Sequence, residues 1–409
     1  MRYNEKPTPV LLGADLNAYS VAVAFHEAYG VRSYAMGKYK CGLTSYSKIV
    51  KMKFCSGYED TDVFLPELIS FARLHQNEKL VLVPCADCYV EFINKYESEL
   101  KKYYAFIIPR EELRKKLTDK AAFYSVLKKH GLTYPEFISI YSPNVSEAKL
   151  SRLSYPLVLK PAKSAEYWHH PFPDMRKVYY PDTAKSAEEI IKKIYYHGYS
   201  GELLLQKKIE NADIYVFTAL FDRESNCDFS VFGKVVLEEC GKTSEGNHSA
   251  IITEKDNELT QKIKDMLQAL GYTGFANFDI LYSNGEYYIL ELNARQGRSC
   301  DHIRCSGINI AERLMGVLED GDIRDKVYPK KIFWHYPSFN QTLKYMKNDK
   351  DIALAKKLKS SERAFSPLSY KSDLITNPLR LAYVTVHNTR LGKTLSNDFS
   401  NNCCPQEEF

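Results

Sequence analysis

Short apolar runs alternate with stretches of helical periodicity through the first third of the chain. Pro9–Leu12, Leu80–Val83 and Ala105–Ile108 are apolar segments that predict buried strands, whereas Asn17–Tyr29, Val63–His75 and Tyr89–Lys102 carry the spacing of helices. That alternation predicts a parallel α/β unit, and such a sheet takes its ligand beyond the carboxyl ends of its strands. The turns Gly13-Ala14-Asp15 and Ala86-Asp87 are therefore candidate substrate walls. From Thr118 the pattern changes. A helix over Asp119–Lys129 stops at His130-Gly131, and Tyr134-Pro135 leads into a strand at Phe137–Ile140. Strands of longer alternation follow at Tyr155–Lys160, Val178–Tyr180, Glu202–Gln206, Ile214–Phe221, Phe229–Leu237, Phe275–Leu281 and Tyr287–Asn293, with helices at Ser186–His197 and Asp256–Leu270. This region reads as α+β with a large antiparallel component. Beyond Asp322 the chain is basic, tyrosine-containing and less clearly periodic, ending in the polar tail Ser396–Phe409, of which about the last dozen residues are expected to be mobile.

Composition narrows the class. At roughly 150 residues per domain, 409 residues predict two to three domains with cores of their own. Lys plus Arg at 56 against Asp plus Glu at 51 leaves +5, which suits small anionic ligands better than a nucleic-acid backbone. No apolar stretch approaches the ~18–20 residues of a membrane span, and Met1–Pro9 is polar with no secretory hydrophobic region behind it, so a soluble, cytoplasmic protein is expected. The ten cysteines are scattered rather than set as a disulfide framework, and reduced thiols are expected. Cys85-Ala86-Asp87-Cys88 has the spacing of a metal or redox pair, but no second pair accompanies it and a buried strand end is preferred. His169 and His170 read as a loop pair. No two glycines sit two residues apart, so the dinucleotide fingerprint is absent and a nicotinamide enzyme is disfavoured.

The sharpest local feature is Phe278–Asn293, two apolar strands around Asn284-Gly285. Side chains alternate along a strand, so Glu291 and Asn293 share one face while Leu290 and Leu292 are expected on the core face. Asp279 joins the first pair only if the loop is odd in length or the hairpin is bulged. A two-residue turn would pair Asp279 with Leu290 on the wrong face; a three-residue loop, Ser283–Gly285, restores the common face. Asp, Glu and Asn oxygens converging on one site are the hard ligands that Mg²⁺ prefers. An exposed amphipathic hairpin would also place polar residues outside, but Arg295 and Arg298 follow directly, as a phosphate and a developing oxyanion require.

Two lysines add to this. Lys160 ends an apolar strand beside Pro161, and Lys120 opens a helix, where the dipole disfavours a cation unless an anion sits nearby. Walker-type phosphate binding is excluded, since Gly-Lys-Thr at 241–243 and 392–394 has Val236 and His387 where the earlier glycine belongs.

A lysine-led helix, a strand-terminal lysine, Leu203-Leu204-Leu205-Gln206-Lys207-Lys208-Ile209, and Asp279 followed by Glu291-Leu292-Asn293-Ala294-Arg295 together resemble the ATP-grasp carboxylate–amine ligases. Pro9–Asp15, Tyr46–Val50, Leu159–Ala162 with Ser164, Glu166 and Tyr167, and Tyr272–Asp279 extend the resemblance to the D-aspartate ligases of Gram-positive cell-wall synthesis, over roughly residues 8–335. The resemblance implies an ATP-grasp fold behind an N-terminal parallel α/β domain. It divides the chain into a substrate-side domain at 1–115, a small subdomain and linker at 116–200, a metal-bearing subdomain at 201–335 and an extension at 336–409. It implies that Lys120 and Lys160 contact ATP phosphates, that Gln206, Lys207 and Ile209 line the adenine, and that Asp213 holds the ribose. Asp279, Glu291 and Asn293 would bind Mg²⁺, Arg295 would stabilise an acyl phosphate, and Lys160 and Arg298 would share in catalysis. Asp15, Asn17, Tyr46, Ser47, Asp87 and Arg298 are assigned to substrate from position alone. The implied reaction activates the β-carboxylate of D-aspartate and joins it to a lysine ε-amine of a peptidoglycan precursor, without nucleic acid or membrane span. The loop from Lys163 to Arg176 departs from the family by lacking glycine and is expected to be ordered by substrate. A ligase for another amino acid or a small-molecule amine shares every one of these motifs. A non-catalytic nucleotide-binding module is a third reading, disfavoured by the retained metal ligands.

Overall fold

An apolar run without polar interruption must be covered on both faces, and Val10, Leu11 and Leu12 are fully buried inside a four-stranded parallel sheet. The structure, a computed structural model, describes residues 6–54, 57, 61–162, 164–319 and 327–401. The first sheet holds β1 (Pro7–Leu12), β2 (Ser33–Gly37), β3 (Val50–Phe54) and β4 (Lys79–Pro84) in the order β3-β2-β1-β4. Gly13 leaves β1 at φ +138°, and a Cβ there would lie 2.9 Å from that of Cys85, so only glycine lets the turn close on the end of β4. Asp15 then caps the helix Leu16–Tyr29 by accepting from the backbone of Asn17 and Ala18. Ala105–Ile108, expected as a strand, contributes only the single parallel bridge Val81↔Ala105. Likewise Val178–Tyr180 contributes only Leu159↔Tyr179.

Three antiparallel strands form a small sheet, β5 (Phe137–Ile140), β6 (Leu157–Pro161) and β7 (Leu203–Lys207), ordered β5-β7-β6 under the helix Ala184–Tyr196. The boundary expected after residue 200 precedes β7, yet β7 is the middle strand here. The change of sheet falls between Lys207 and Asp213, where the next strand begins. The large sheet comprises β8 (Asp213–Phe221), β9 (Cys227–Glu238), β10 (His248–Glu254), β11 (Gly274–Ser283), β12 (Glu286–Asn293), β13 (Phe333–His335) and β14 (Ala364–Phe365). Its order is β12-β11-β8-β9-β10-β13-β14, antiparallel except at the β13–β14 edge. One face carries Phe217, Phe278 and Ile280 in a core shared with Val10, Leu12 and Leu82. The other carries Val216, Leu220 and Val231 in a core shared with Leu11, Tyr19 and Val83. Side chains from the two faces of the parallel sheet thus join the two cores that line the two faces of the large one.

The extension is more ordered than its weak periodicity suggested. Helices Phe339–Tyr345 and Asp349–Ser360 are followed by Pro378–Asn401, a helix of 24 residues that takes in the first part of the tail expected to be mobile. Leu395 is buried in it, and Phe399 packs 4.7 Å from Tyr345; residues 402–409 lie outside the described residues. Among the described residues no helix is long and apolar enough to cross a membrane. Cys41, Cys85, Cys88, Cys227, Cys300 and Cys305 are free thiols, but Cys240 is disulfide-bonded, against the expectation of reduced thiols throughout.

Candidate active site

The hairpin loop is two residues long, not three. Asn284 at φ +52° and Gly285 at φ +84° are both left-handed, as a tight hairpin turn of matching twist demands. Ile280 pairs with Ile289, then the register shifts and Asp279 pairs with Glu291, Phe278 with Leu292 and Asn277 with Asn293. Leu290 is the surplus residue of a β-bulge. It is only half-buried, while Ile289 and Leu292 take the core positions, which corrects the expectation that Leu290 lies in the core. The bulge brings Asn277, Asp279, Glu291 and Asn293 to one face. It also leaves the Leu290 carbonyl accepting from Lys120 Nζ at 3.2 Å and the Tyr124 hydroxyl at 3.0 Å.

Lys120 opens the helix Lys120–Lys129, capped by Asp119, and the anion its position requires is Glu291, 2.6 Å from Nζ. Burial works against the ammonium, but Glu291 and Tyr124 outweigh it and hold Lys120 above its ordinary range. Lys160, at the end of β6, has no hydrogen-bond partner among the described residues. Burial and the nearby charge of Lys120 push it down to about 8. Lys120 and Lys160 thus bring two ammoniums beside the carboxylate pair. Lys177 joins them: its Nζ donates to the Glu245 carbonyl at 2.8 Å, and its charge lowers Asp279, Glu291 and Lys160 alike.

Burial and then the adjacent Glu291 push the Asp279 carboxyl up, whereas Lys120 holds Glu291 well below the carboxylate range despite its burial. Two half-buried carboxylates paired across the hairpin, with Asn293 next along the same face, are a donor set that a hard divalent cation relieves, so Mg²⁺ fits. Behind Asp279 stands His248, its Nε2 3.9 Å from Oδ1; burial, His302 and Arg298 push this imidazole down to about 4, so it is neutral near pH 7. Asn277, whose Oδ1 accepts from Thr218 at 2.8 Å, completes the face.

The arginines link this hairpin outward. Arg295 donates to Asp87 Oδ2 through Nη2 at 2.8 Å and Nε at 3.2 Å, and its Nη2 lies 3.4 Å from Asn293 Oδ1. The Ala86-Asp87 turn after β4 is thereby joined to the carboxylate hairpin. Arg298 donates to Glu239 Oε1 at 3.1 Å. Of the remaining substrate-side candidates, Asp15 is occupied as a helix cap. Asn17 is 1% exposed and is a strut: its Nδ2 donates to the Cys85 and Gln296 carbonyls, so it has no amide hydrogen for a substrate. Tyr46 is exposed and stacks on Tyr383 of the C-terminal helix, while Ser47 is buried with Oγ accepting from Ile49.

On the nucleotide side, Gln206 is buried on β7, Lys207 is exposed and Ile209 half-buried in the connection to β8. Asp213 opens β8 four residues after Ile209. It lies on the sheet face opposite Asp279 and pairs with Lys234 at 2.9 Å, which also pairs with Asp351 at 3.1 Å. The glycine-free loop is anchored by its own aromatics. Tyr167 is fully buried with its hydroxyl 2.7 Å from that of Tyr179, and Phe172 packs against Tyr167 and His197. Lys163 lies outside the described residues. His248, Lys177, Glu239 and Asn277 escaped the sequence reading; only Asn277, inside the Tyr272–Asp279 stretch, carried a local signal.

Residues 117–299 match the ATP-grasp domain family. The chain is 30% identical over 395 residues to the D-aspartate ligase of Enterococcus faecium, covering 90% of this chain and 92% of that protein. It belongs to the ATP-grasp family of D-aspartate ligase-like proteins. Solved structures agree on the fold. The biotin carboxylase domain of Hydrogenobacter thermophilus 2-oxoglutarate carboxylase, in complex with MgADP, ADP and bicarbonate, aligns at TM-score 0.60 and 16% identity, over 81% of this chain and 74% of that one. An L-amino acid ligase from Bacillus licheniformis aligns at TM-score 0.56 and 16% identity over 78% of each chain. The chain is an ATP-dependent carboxylate–amine ligase.

Proposed function

We propose that this ligase activates the β-carboxylate of D-aspartate with ATP and joins it to the ε-amine of a stem-peptide lysine in a cytoplasmic peptidoglycan precursor, releasing ADP and phosphate. What carries the reading is one contact in a chain similar over 90% of its length to a D-aspartate ligase: Arg295 ties the carboxylate hairpin to Asp87 on the substrate-side sheet. A carboxylate resists an amine, so one of its oxygens first attacks the γ-phosphorus of ATP and ADP leaves. The amine then attacks the acyl carbon, phosphate leaves, and the amine's surplus proton passes to solvent. Lys120 and Lys160 offset phosphate charge, Arg295 stabilises the acyl oxyanion, and Arg298 receives the carboxylate that is not activated. Asp279, Glu291 and Asn293 would hold Mg²⁺, which when bound neutralises phosphate oxygens. Gln206, Lys207 and Ile209 would border the adenine, and Asp213, whose Oδ1 pairs with Lys234, would offer its other oxygen to the ribose.

The test is hydroxylamine trapping with Mg-ATP and a panel of D- and L-amino acids. Acyl hydroxamate from D-aspartate alone is the expected result. A signal from a different acid keeps the mechanism and removes D-aspartate. Silence across the panel, with ATP bound, removes the proposed half-reaction.

A further inference from the structure

Arg298 is held from two sides, and one of them begins in the C-terminal helix. Its Nη1 donates to Glu239 Oε1 at 3.1 Å, an oxygen that also accepts from Ser249 Oγ at 3.2 Å, while Glu239 Oε2 accepts from Asn247 Nδ2 at 3.2 Å. On the other side the guanidinium carbon sits 5.2 Å from the centre of the Tyr336 ring. Tyr336 is buried, its backbone N–H donates to the Ser249 carbonyl at 2.8 Å, and its hydroxyl lies 2.7 Å from His387 Nε2. His387 Nδ1 is 3.3 Å from the Tyr383 hydroxyl; Tyr383 stacks in turn on Tyr46, whose segment follows β2 of the parallel sheet. Burial and the charges of Arg380, Arg298 and Arg390 push the His387 imidazole below its ordinary range, so it is neutral. A neutral ring with hydroxyls at both nitrogens accepts from one and donates to the other, and the shorter contact is best served by Tyr336 O–H donating to Nε2.

The helix that carries His387 is fastened along its length. Near its start Arg380 pairs with Asp373 and donates to the Leu43 carbonyl; near its middle the Asn388 carbonyl accepts from Gln341 at 3.2 Å, and near its end Phe399 packs on Tyr345. At ~1.5 Å per residue such a helix reaches ~36 Å, enough to strap the parallel sheet to the far part of the large one. Arg298 has no acceptor for Nε or Nη2 among the described residues, so these donors remain for a ligand carboxylate.

We propose that His387 is a positioning residue for the ligase reaction: through the Tyr336 hydroxyl it holds the ring on which Arg298 rests, and so makes recognition of the donor's second carboxylate depend on the C-terminal helix. This rests on the carboxylate-activating reading above. His387 itself touches no substrate. Its loss leaves Tyr336 with a buried hydroxyl lacking its partner, and the ring shifts to find another.

The experiment compares His387→Ala, His387→Gln and Tyr336→Phe in the full chain by hydroxamate kinetics. His387→Ala and Tyr336→Phe are expected to raise KM for the acid about tenfold while KM for ATP stays within about twofold. Glutamine at 387, which can still accept from Tyr336, is expected to recover most of the loss. An unchanged KM for the acid, or equal rises in both KM values without recovery, overturns the proposal. If the wild type activates no acid, it is the ligase reading that fails. The positioning role is then decided by the ¹⁵Nε–¹H signal of Arg298, identified by its absence in Arg298→Lys. Faster solvent exchange in His387→Ala and Tyr336→Phe, restored in His387→Gln, upholds it; an unmoved signal in all three sinks it.

Discussion

Asp373→Ala asks whether the C-terminal strap is part of the folded unit. Asp373 and Arg380 are both fully buried, with Nε 3.3 Å from Oδ2. The same carboxylate accepts from the Tyr19 hydroxyl at 2.9 Å and the Lys48 backbone N–H at 2.8 Å, and the Arg380 guanidinium lies 4.3 Å from the Tyr19 ring centre. Alanine therefore strands a buried guanidinium, a buried phenol and a backbone donor together. Breaking a buried pair by removing one partner costs about 3–5 kcal/mol, and complete burial leaves little for solvent to screen. With about 2 °C of melting temperature per kcal/mol in a domain of this class, the fall is roughly 6–10 °C by differential scanning fluorimetry. The double variant Asp373→Leu/Arg380→Met removes both charges and is expected to recover half or more of the loss, since the cost lies in the unpaired charge. Limited trypsin digestion supplies the local readout: the single variant is cut at Lys371 or Arg380 before the rest of the chain opens. A single variant melting within 2 °C of wild type, or a double variant as unstable as the single, refutes the reasoning.

Glu291→Gln and Asp279→Asn are each expected to lower kcat by about 10³-fold or more, Glu291→Gln also melting lower because the buried Lys120 ammonium loses its carboxylate, and full activity in both removes the metal assignment. Lys160 is protonated below its lowered value of about 8, so kcat/KM for ATP is expected to fall as pH rises through that region. Lys160→Arg, whose guanidinium stays charged, moves the fall to higher pH, and an unshifted profile denies Lys160 the role. Asp87→Ala frees the Arg295 fork and is expected to cut kcat/KM for the acid about tenfold; because Asp87 is half-exposed, stability changes little, and unaltered kinetics would detach Arg295 from the substrate wall.

What could be read from the sequence was what neighbouring residues decide. The apolar runs of β1 and β4 need burial whatever surrounds them, and Asp119 before Lys120 is a cap by position alone. The misses belong to distance. His248 and Asp279 lie on strands separated by β8 and β9, so their approach depends on sheet order rather than spacing. Asn17 carries the polarity of a ligand-binding residue, but the Cys85 and Gln296 carbonyls that need its amide come from elsewhere in the chain. The Lys234 partner of Asp213 is likewise non-local, since nothing beside Asp213 announces the residue on the neighbouring strand.

The hairpin shows where local logic stops and long-range structure takes over. Asn284-Gly285 is the strongest signal for a two-residue turn, and strict alternation from it puts Asp279 on the face away from Glu291. A common face therefore requires one surplus residue, but alternation does not say where. Leu290 takes the place because a bulge leaves a carbonyl outside the ladder, and that carbonyl finds its donors in Lys120 and Tyr124 on a helix 170 and 166 residues away. Lys120 also holds Glu291 through the same ammonium. The cation that a nucleotide phosphate would meet thus helps keep the bulge that aligns the carboxylates, so phosphate binding and metal binding share one structural support.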